Sequence, residues 1–543
     1  MSRSLAGAAA GLLFFVAASR TTSTVATSDV VTYHNDVART GQNLNETLLT
    51  PTTVTAARFG KTRMLATDGK VDAEPLFLSG LTVPGVGVRD VVYVATEHDS
   101  VYAFDAATGA QLWRTSLLGS GETTSDTRGC SQVTPEIGVT STPVIDRSRG
   151  PNGIVYVVAM SKTAAGAYVQ RLHALDAALG SELLGGPQTI QASFAGTGAG
   201  SSGGVVNFDP KQYEERAALL ELNGQIITVW TSHCDIDPYT GWIIAYDAGT
   251  LARSSVLNVT PNGSRGAMWM AGAGPAADAQ GNVYVLDGNG TFDTTLTAGG
   301  FPNKGDFGNA FIKIATAGGL SVADYFATFD TVSASNADTD LGSGGAMVFP
   351  DFVDAMGATR HLAVGAGKDG HMYVVDRDAM GKWNPSTNQN YQDISGAIGG
   401  SVFSMPAYFN NTLYYGGSGA KLKAFAIASA RVSPTAASSS ATSFAYPGST
   451  PSISASGSSG GIVWAVENKS PAVLHAYDAA NLTHELYNLT QAANSRDAFG
   501  NGNKFITPMI VNGHVYVGTP TGVAVFGLLS TKPNPPTNVR IVR

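Results

Sequence analysis

Val91-Val92-Tyr93-Val94-Ala95-Thr96, a short loop, then Val101-Tyr102-Ala103-Phe104-Asp105-Ala106-Ala107-Thr108-Gly109 and Leu112-Trp113 form the stretch that decides the fold. Two β-rich runs separated by a turn, the second closed by Asp and Gly, read as neighbouring antiparallel strands. Comparable pairs follow at Ile154–Ala159 with Leu172–Asp176, Ile226–Thr231 with Ile243–Asp247, and Val283–Leu286 with Ala310–Ile314. Four more lie at His361–Gly365 with Met372–Asp376, Leu413–Gly417 with Leu422–Phe425, Ile462–Val466 with Leu474–Asp478, and Val515–Gly518 with Val523–Phe526. Most are preceded by another short strand that starts at a proline: Pro75, Pro143, Pro275, Pro406, Pro451 or Pro508. A unit of three or four strands cannot bury its own faces, whereas radial stacking buries them and leaves only short edges. The expectation is all-β: an eight-bladed β-propeller of four-stranded antiparallel blades over residues 28–528. A β-helix or two sandwiches are the alternatives, and the repeat period disfavours both. The last unit lacks an outer strand, so Phe59–Ala66 is expected to complete it and close the ring.

Loop lengths orient that ring. With strands A to D counted outward from the axis, A–B and C–D turns are tight, as in Asp278-Ala279-Gln280-Gly281-Asn282. Long connections are B–C or D–A, at 118–137, 191–215, 232–241, 261–270, 287–309, 329–345 and 427–449; the exception is 350–359. Long loops gathered on one end of a rigid scaffold are where binding residues concentrate, which makes that end the functional face.

Composition agrees with this reading. The 543 residues hold 64 Gly and 24 Pro with only 14% charged residues, a turn-rich chain poor in solvated helix. A net charge of −8 argues against nucleic acid or anionic membrane surfaces as partners. No internal run approaches the length of a spanning helix, so no membrane span is expected in the mature chain. Arg3 followed by the apolar run Leu5–Ala18 and small residues has the layout of a secretory signal peptide, assigned to residues 1–27, with a secreted or periplasmic destination. Export makes Cys130 and Cys234 candidates for one disulfide, two buried thiols being the other reading. The Pro-rich tail at 529–543 reads as a linker resembling the start of a fibronectin type III domain.

The motifs resemble a known family, the quinoprotein alcohol dehydrogenases, whose propellers bind pyrroloquinoline quinone and calcium at the axis. The likeness covers most of residues 30–528. Thr32-Tyr33-His34-Asn35-Asp36-Val37-Ala38-Arg39-Thr40-Gly41 is similar to the family's leader, and Ala-Tyr/Phe-Asp-Ala-x-Thr-Gly to its repeat motif. Trp269 stands twenty residues before Gly288-Asn289-Gly290, as the family's quinone-stacking tryptophan stands before its calcium-ligand motif. Asp340 in Asp338-Thr339-Asp340-Leu341-Gly342 matches the catalytic aspartate, and Lys368 in Lys368-Asp369-Gly370 the basic residue on the quinone. For the family's calcium-ligand glutamate this chain offers Asp235 or Asp237. The family's vicinal disulfide cannot form at Cys130-Ser131, and a bond from Cys130 to Cys234, which would join two loops, stands beside two free thiols as the readings left open. The tryptophan beside the catalytic aspartate is also missing.

The resemblance implies a dehydrogenase of small alcohols or sugars. Calcium on Asn289 and a carboxylate polarises the quinone, Trp269 stacks on it, Lys368 holds its developing charge and Asp340 takes the hydroxyl proton. No haem motif exists in the chain, so electrons would leave through an external acceptor. The alternative is a non-catalytic extracellular scaffold that binds protein or glycan on the same face. In that case Trp269 is an axial plug, Asn289 a turn residue and Lys368 a solvated charge.

Overall fold

The computed structural model describes residues 28–529. The signal peptide expected at 1–27 and all but the first residue of the tail at 529–543 lie outside the described residues.

Eight antiparallel sheets, each with a four-stranded core, follow one another along the chain, over 76–116, 144–189, 220–258, 276–326, 347–394, 407–444, 452–488 and 509–528. These are blades 1 to 8. The innermost strands begin directly after the prolines read from the sequence, as in Leu76–Val83, Ala276–Ala277, Ala407–Phe409 and Met509–Val511. Proline suits that place because it has no N–H to give a ladder and cannot sit inside a central strand. Blade 8 takes its fourth strand from Phe59–Ala66, which pairs antiparallel with Gly522–Leu528, so the ring closes by joining the two ends of the chain. Phe59 is fully buried there against Trp464, Tyr487 and Phe526.

The recurring Asp-Ala-x-Thr-Gly is turn chemistry. One Asp105 side-chain oxygen accepts the N–H groups of Ala107 and Thr108, both at 2.9 Å. Gly109 takes φ 76°, where a side chain is disfavoured, and returns its N–H to the Asp105 carbonyl at 2.7 Å. Asp176 and Asp247 repeat the arrangement at the same turn of blades 2 and 3. The long connection at 350–359 is a small hairpin, Phe352–Val353 against Thr359–Arg360.

One feature was not anticipated. The leader runs along the axial edges of the inner strands, contacting blade after blade. Val30 exchanges backbone hydrogen bonds with Phe77, and the carbonyls of Val31, Val37, Ala38, Thr40 and Gly41 accept from Ile145, Ala277, Val348, Tyr408 and Ile453. The buried Arg39 guanidinium donates to the carbonyls of Tyr33, Leu219 and Pro275, and the Asn43 amide to that of Ile510. The inner strands' free edges are thereby satisfied by one segment that touches all eight blades.

Candidate functional site

A partly enclosed pocket of about 110 Å³ opens on the long-loop face, walled by connections from around the ring. Blade 4's B–C loop brings Asn289, the loops before and after that blade bring Trp269 and Asp340, and blade 5's B–C loop brings Lys368. Glycines let these loops lie backbone to backbone. A Cβ at Gly342 would stand 2.3 Å from the Gly288 nitrogen, and one at Gly367 would stand 2.3 Å from the Asp340 carbonyl oxygen. Thus the Asp340 turn is pressed between the Asn289 and Lys368 loops.

The polar wiring is specific. Lys368 Nζ lies 2.7 Å from Asp340 Oδ1 and also donates to Asp338, which accepts the Asn289 amide as well. Asn289 Oδ1 is buried without a hydrogen-bond partner. Burial pushes the Asp340 carboxyl above its usual range, with Lys368 pulling the other way. Burial works to lower the Lys368 ammonium, but its two carboxylates outweigh it and hold the group above its ordinary value. Behind them Asp287, fully buried with neither oxygen bonded, is driven well up by burial and then by Asp340.

Asp235 lines the same pocket, with one carboxylate oxygen accepting the Tyr239 hydroxyl at 2.8 Å. Asp237 does not join it. Half exposed, it is paired with Arg265, whose Nε and Nη2 reach its two oxygens at 3.2 and 2.8 Å. Cys130 and Cys234 are bonded, their Cα atoms 6.2 Å apart, and the bridge ties the loop carrying Gln132 to the loop carrying Asp235, both pocket residues.

The sequence reading missed the opposite wall: Arg216, Phe403, Tyr446, Lys504 and Phe505. Tyr446 packs edge-on against Phe403 and Phe505, and the Arg216 guanidinium lies 4.9 Å from the Phe505 ring and 5.8 Å from that of Trp269. Arg216 carried a signal in hindsight, as a charge in Glu214-Glu215-Arg216 at the entry to an apolar strand; Lys504-Phe505 carried none. Among the described residues, no three His, Cys, Asp or Glu side chains converge in a way that could hold a metal ion, and no helix is long and apolar enough to cross a membrane.

A family model described as outer membrane protein assembly factor BamB matches residues 38–183, from within the leader through most of the second blade. No curated protein matches the chain. Among solved structures, quinohemoprotein alcohol dehydrogenase from Comamonas testosteroni superposes with a TM-score of 0.62 at 16% identity, over 95% of this chain and 82% of the other. A quinohemoprotein alcohol dehydrogenase from Pseudomonas putida HK5 gives 0.58 at 13%, over 94% and 82%. A europium-containing methanol dehydrogenase gives 0.57 at 13%, over 92% and 98%. With its eight blades, its closing strand and these neighbours, the chain has the propeller fold of the quinoprotein alcohol dehydrogenases.

Proposed function

We propose that the pocket binds a flat quinone of the pyrroloquinoline quinone type and that the protein, exported by its signal peptide, oxidises alcohol or sugar hydroxyls with it. The observation that carries this reading is convergence: Trp269, Asn289, Asp340 and Lys368, spread over a hundred positions of sequence, line one pocket. The donor set fits such a ligand. Trp269 offers a ring face for stacking, and Lys368, Arg216 and Lys504 offer positive charge to its carboxylates and quinone oxygens.

Calcium fits less completely. Asn289 Oδ1, buried and unpartnered, Asp340 and the Asp235 oxygen that Tyr239 does not occupy are the oxygens this chain supplies; a hard cation needs six or more, the rest coming from quinone and water. Calcium should therefore bind only together with the quinone.

When bound, the quinone supplies a two-electron acceptor, and calcium would polarise it. The chain's own part is proton handling and positioning. Asp340, its carboxyl raised by burial with Lys368 pulling the other way, is the base that takes the substrate hydroxyl proton. Lys368 in turn balances negative charge beside it. Electrons then pass to an external acceptor.

A second reading has one observation in its favour, the match to a family model described as an assembly factor: a non-catalytic propeller whose loop face contacts protein or glycan at the cell exterior. Titration with pyrroloquinoline quinone, with and without calcium, separates the two. Saturable binding seen in the cofactor absorbance and the melting temperature, strengthened by calcium and lost in Asn289→Ala, supports the quinone site. No binding by the wild-type protein refutes it and leaves the scaffold.

A further inference from the structure

Away from the axis, a separate cavity of about 150 Å³ opens on the long-loop face between blades 4 and 5. The connection leaving blade 4 forms one wall, with Thr328, Phe329 and Asp330 just ahead of the short helix Thr331–Asn336. Blade 5 forms the other, through Asp369 and His371 of its B–C loop and Tyr373 and Asp393 of its two outer strands. Thr339 and Leu341 line this cavity while Asp340, between them, lines the axial pocket, so the two spaces share a single turn as their partition.

Its charge is one-sided. Asp330, Asp369 and Asp393 all stand in the wall, no Lys or Arg does, and His371 is the one basic group there. Burial, and then the charges of Asp369, Asp393 and Asp330, hold the Tyr373 phenol well above its ordinary range, so the three carboxylates act on one point. Two of them are partly engaged. Asp369 accepts the Tyr373 hydroxyl and the His371 backbone N–H, while Asp393 has His371 Nδ1 at 3.0 Å and accepts the Asn388 amide at 2.7 Å. Asp330 is not engaged: it occupies the N-cap position of the helix yet its side chain caps nothing, whereas an aspartate there ordinarily accepts a helix N–H. Thr328 is an independent sign of a ligand. It is 4% exposed and lines the cavity, and among the described residues its hydroxyl has no hydrogen bond, although a buried hydroxyl is costly to leave unmet.

A bare metal ion does not suit this wall, since among the described residues no three His, Cys, Asp or Glu side chains converge to hold one. What suits it is a cation broad enough to span the carboxylates and carrying its own N–H donors. We propose that the cavity binds a small organic cation, a guanidinium or primary alkylammonium group, between Asp330, Asp369 and Asp393. The head group donates to these carboxylates and to the Thr328 hydroxyl, and Phe329, 47% exposed at the rim, lies against its alkyl stem. A free small molecule and a Lys or Arg side chain of another protein offer the same chemistry, and the site is the same for both. The inference does not rest on quinone binding.

The test uses the full chain without added cofactor, at low ionic strength, where such attraction is least screened. n-Butylguanidinium and n-butylammonium are titrated calorimetrically against wild type, Asp330→Asn and Thr328→Val, with n-butylurea as the neutral counterpart and glucose as a hydroxyl-rich one. At least one cation should bind and neither neutral compound should. Asp330→Asn should weaken the cation roughly tenfold, the worth of a charge-assisted hydrogen bond. Because the Asp330 side chain caps nothing, this variant should melt as wild type does, so that its loss of affinity reports the site and not the fold. Should Asp330→Asn fail to fold, Thr328→Val carries the test, with affinity lowered severalfold. Wild type that ignores both cations, n-butylurea or glucose that binds as well as they do, or variants that bind the cation unchanged overturn the proposal. A blocked Gly-Arg-Gly peptide identifies the source: binding tighter than the free cation points to a protein side chain, weaker binding to a small molecule.

Discussion

Replacement of Glu74 by glutamine tests how the leader is held. Glu74 is 4% exposed; one carboxylate oxygen accepts the His34 N–H at 2.8 Å and the other has no partner. Burial, only partly offset by that hydrogen bond and by Arg39, raises its pKa from 4.5 to about 8. The sign follows from linkage. At pH 7 the unfolded chain has lost this proton and the folded chain keeps it, so folding must take up a proton. The stability the group contributes is complete below pH 4.5 and drains away as pH rises towards 8. At about 1.4 kcal/mol per tenfold, the loss at pH 7 is roughly 3 kcal/mol. Glutamine is neutral throughout and keeps an oxygen for His34. The stability of Glu74→Gln minus that of wild type, from urea unfolding across pH 4 to 8.5, should therefore climb by about 3 kcal/mol between pH 4 and 7 and flatten above 8. Parallel stability curves for the two proteins would refute the reasoning, since they would mean that Glu74 ionises in the folded protein as it does in water.

Three further outcomes are expected. Phe59→Ala, which empties the aromatic cluster at the closing strand, should cost about 3–5 kcal/mol in urea unfolding; a loss below 1 kcal/mol would mean that the closing strand's aromatic packing adds little. Cys130→Ser with Cys234→Ser opens a loop of 104 residues and should remove roughly 4–5 kcal/mol on the chain-entropy scale, measured against the oxidised wild type; equal melting temperatures would speak against that constraint. If the quinone reading holds, Asp340→Asn should lower turnover by about 10²- to 10⁴-fold at saturating cofactor and calcium, and unchanged turnover would remove Asp340 as the base.

Much of the architecture was legible because its signals are local. The prolines mark inner strands through a missing N–H, Asp105 and Gly109 mark a turn through side-chain capping and left-handed backbone, and the unpaired last unit called for Phe59–Ala66. Trp269, Asn289, Asp340 and Lys368 were legible through their order along the chain, a resemblance rather than a derivation. That Asp237 pairs with Arg265 and lies outside the pocket was not legible, because spacing cannot reveal such a partner. Arg216 and Lys504 escaped notice for a related reason. A charge in sequence reads as a free surface group, and only the packing of Arg216 against Phe505 and Trp269 places it in the pocket wall. The leader's role was equally hidden, because its bonds use backbone carbonyls, which every residue possesses.

That leader changes how the propeller should come apart. Stacked repeats that touch only their neighbours behave as a one-dimensional array and can melt piecemeal. Here a single segment from Val30 to Asn43 is bonded to blades far apart in sequence, so no blade can leave without disturbing a strand of chain that the others share. The leader thus couples distant repeats into one cooperative unit, and a protein without it should lose the coincidence of its unfolding transitions before it loses its blades.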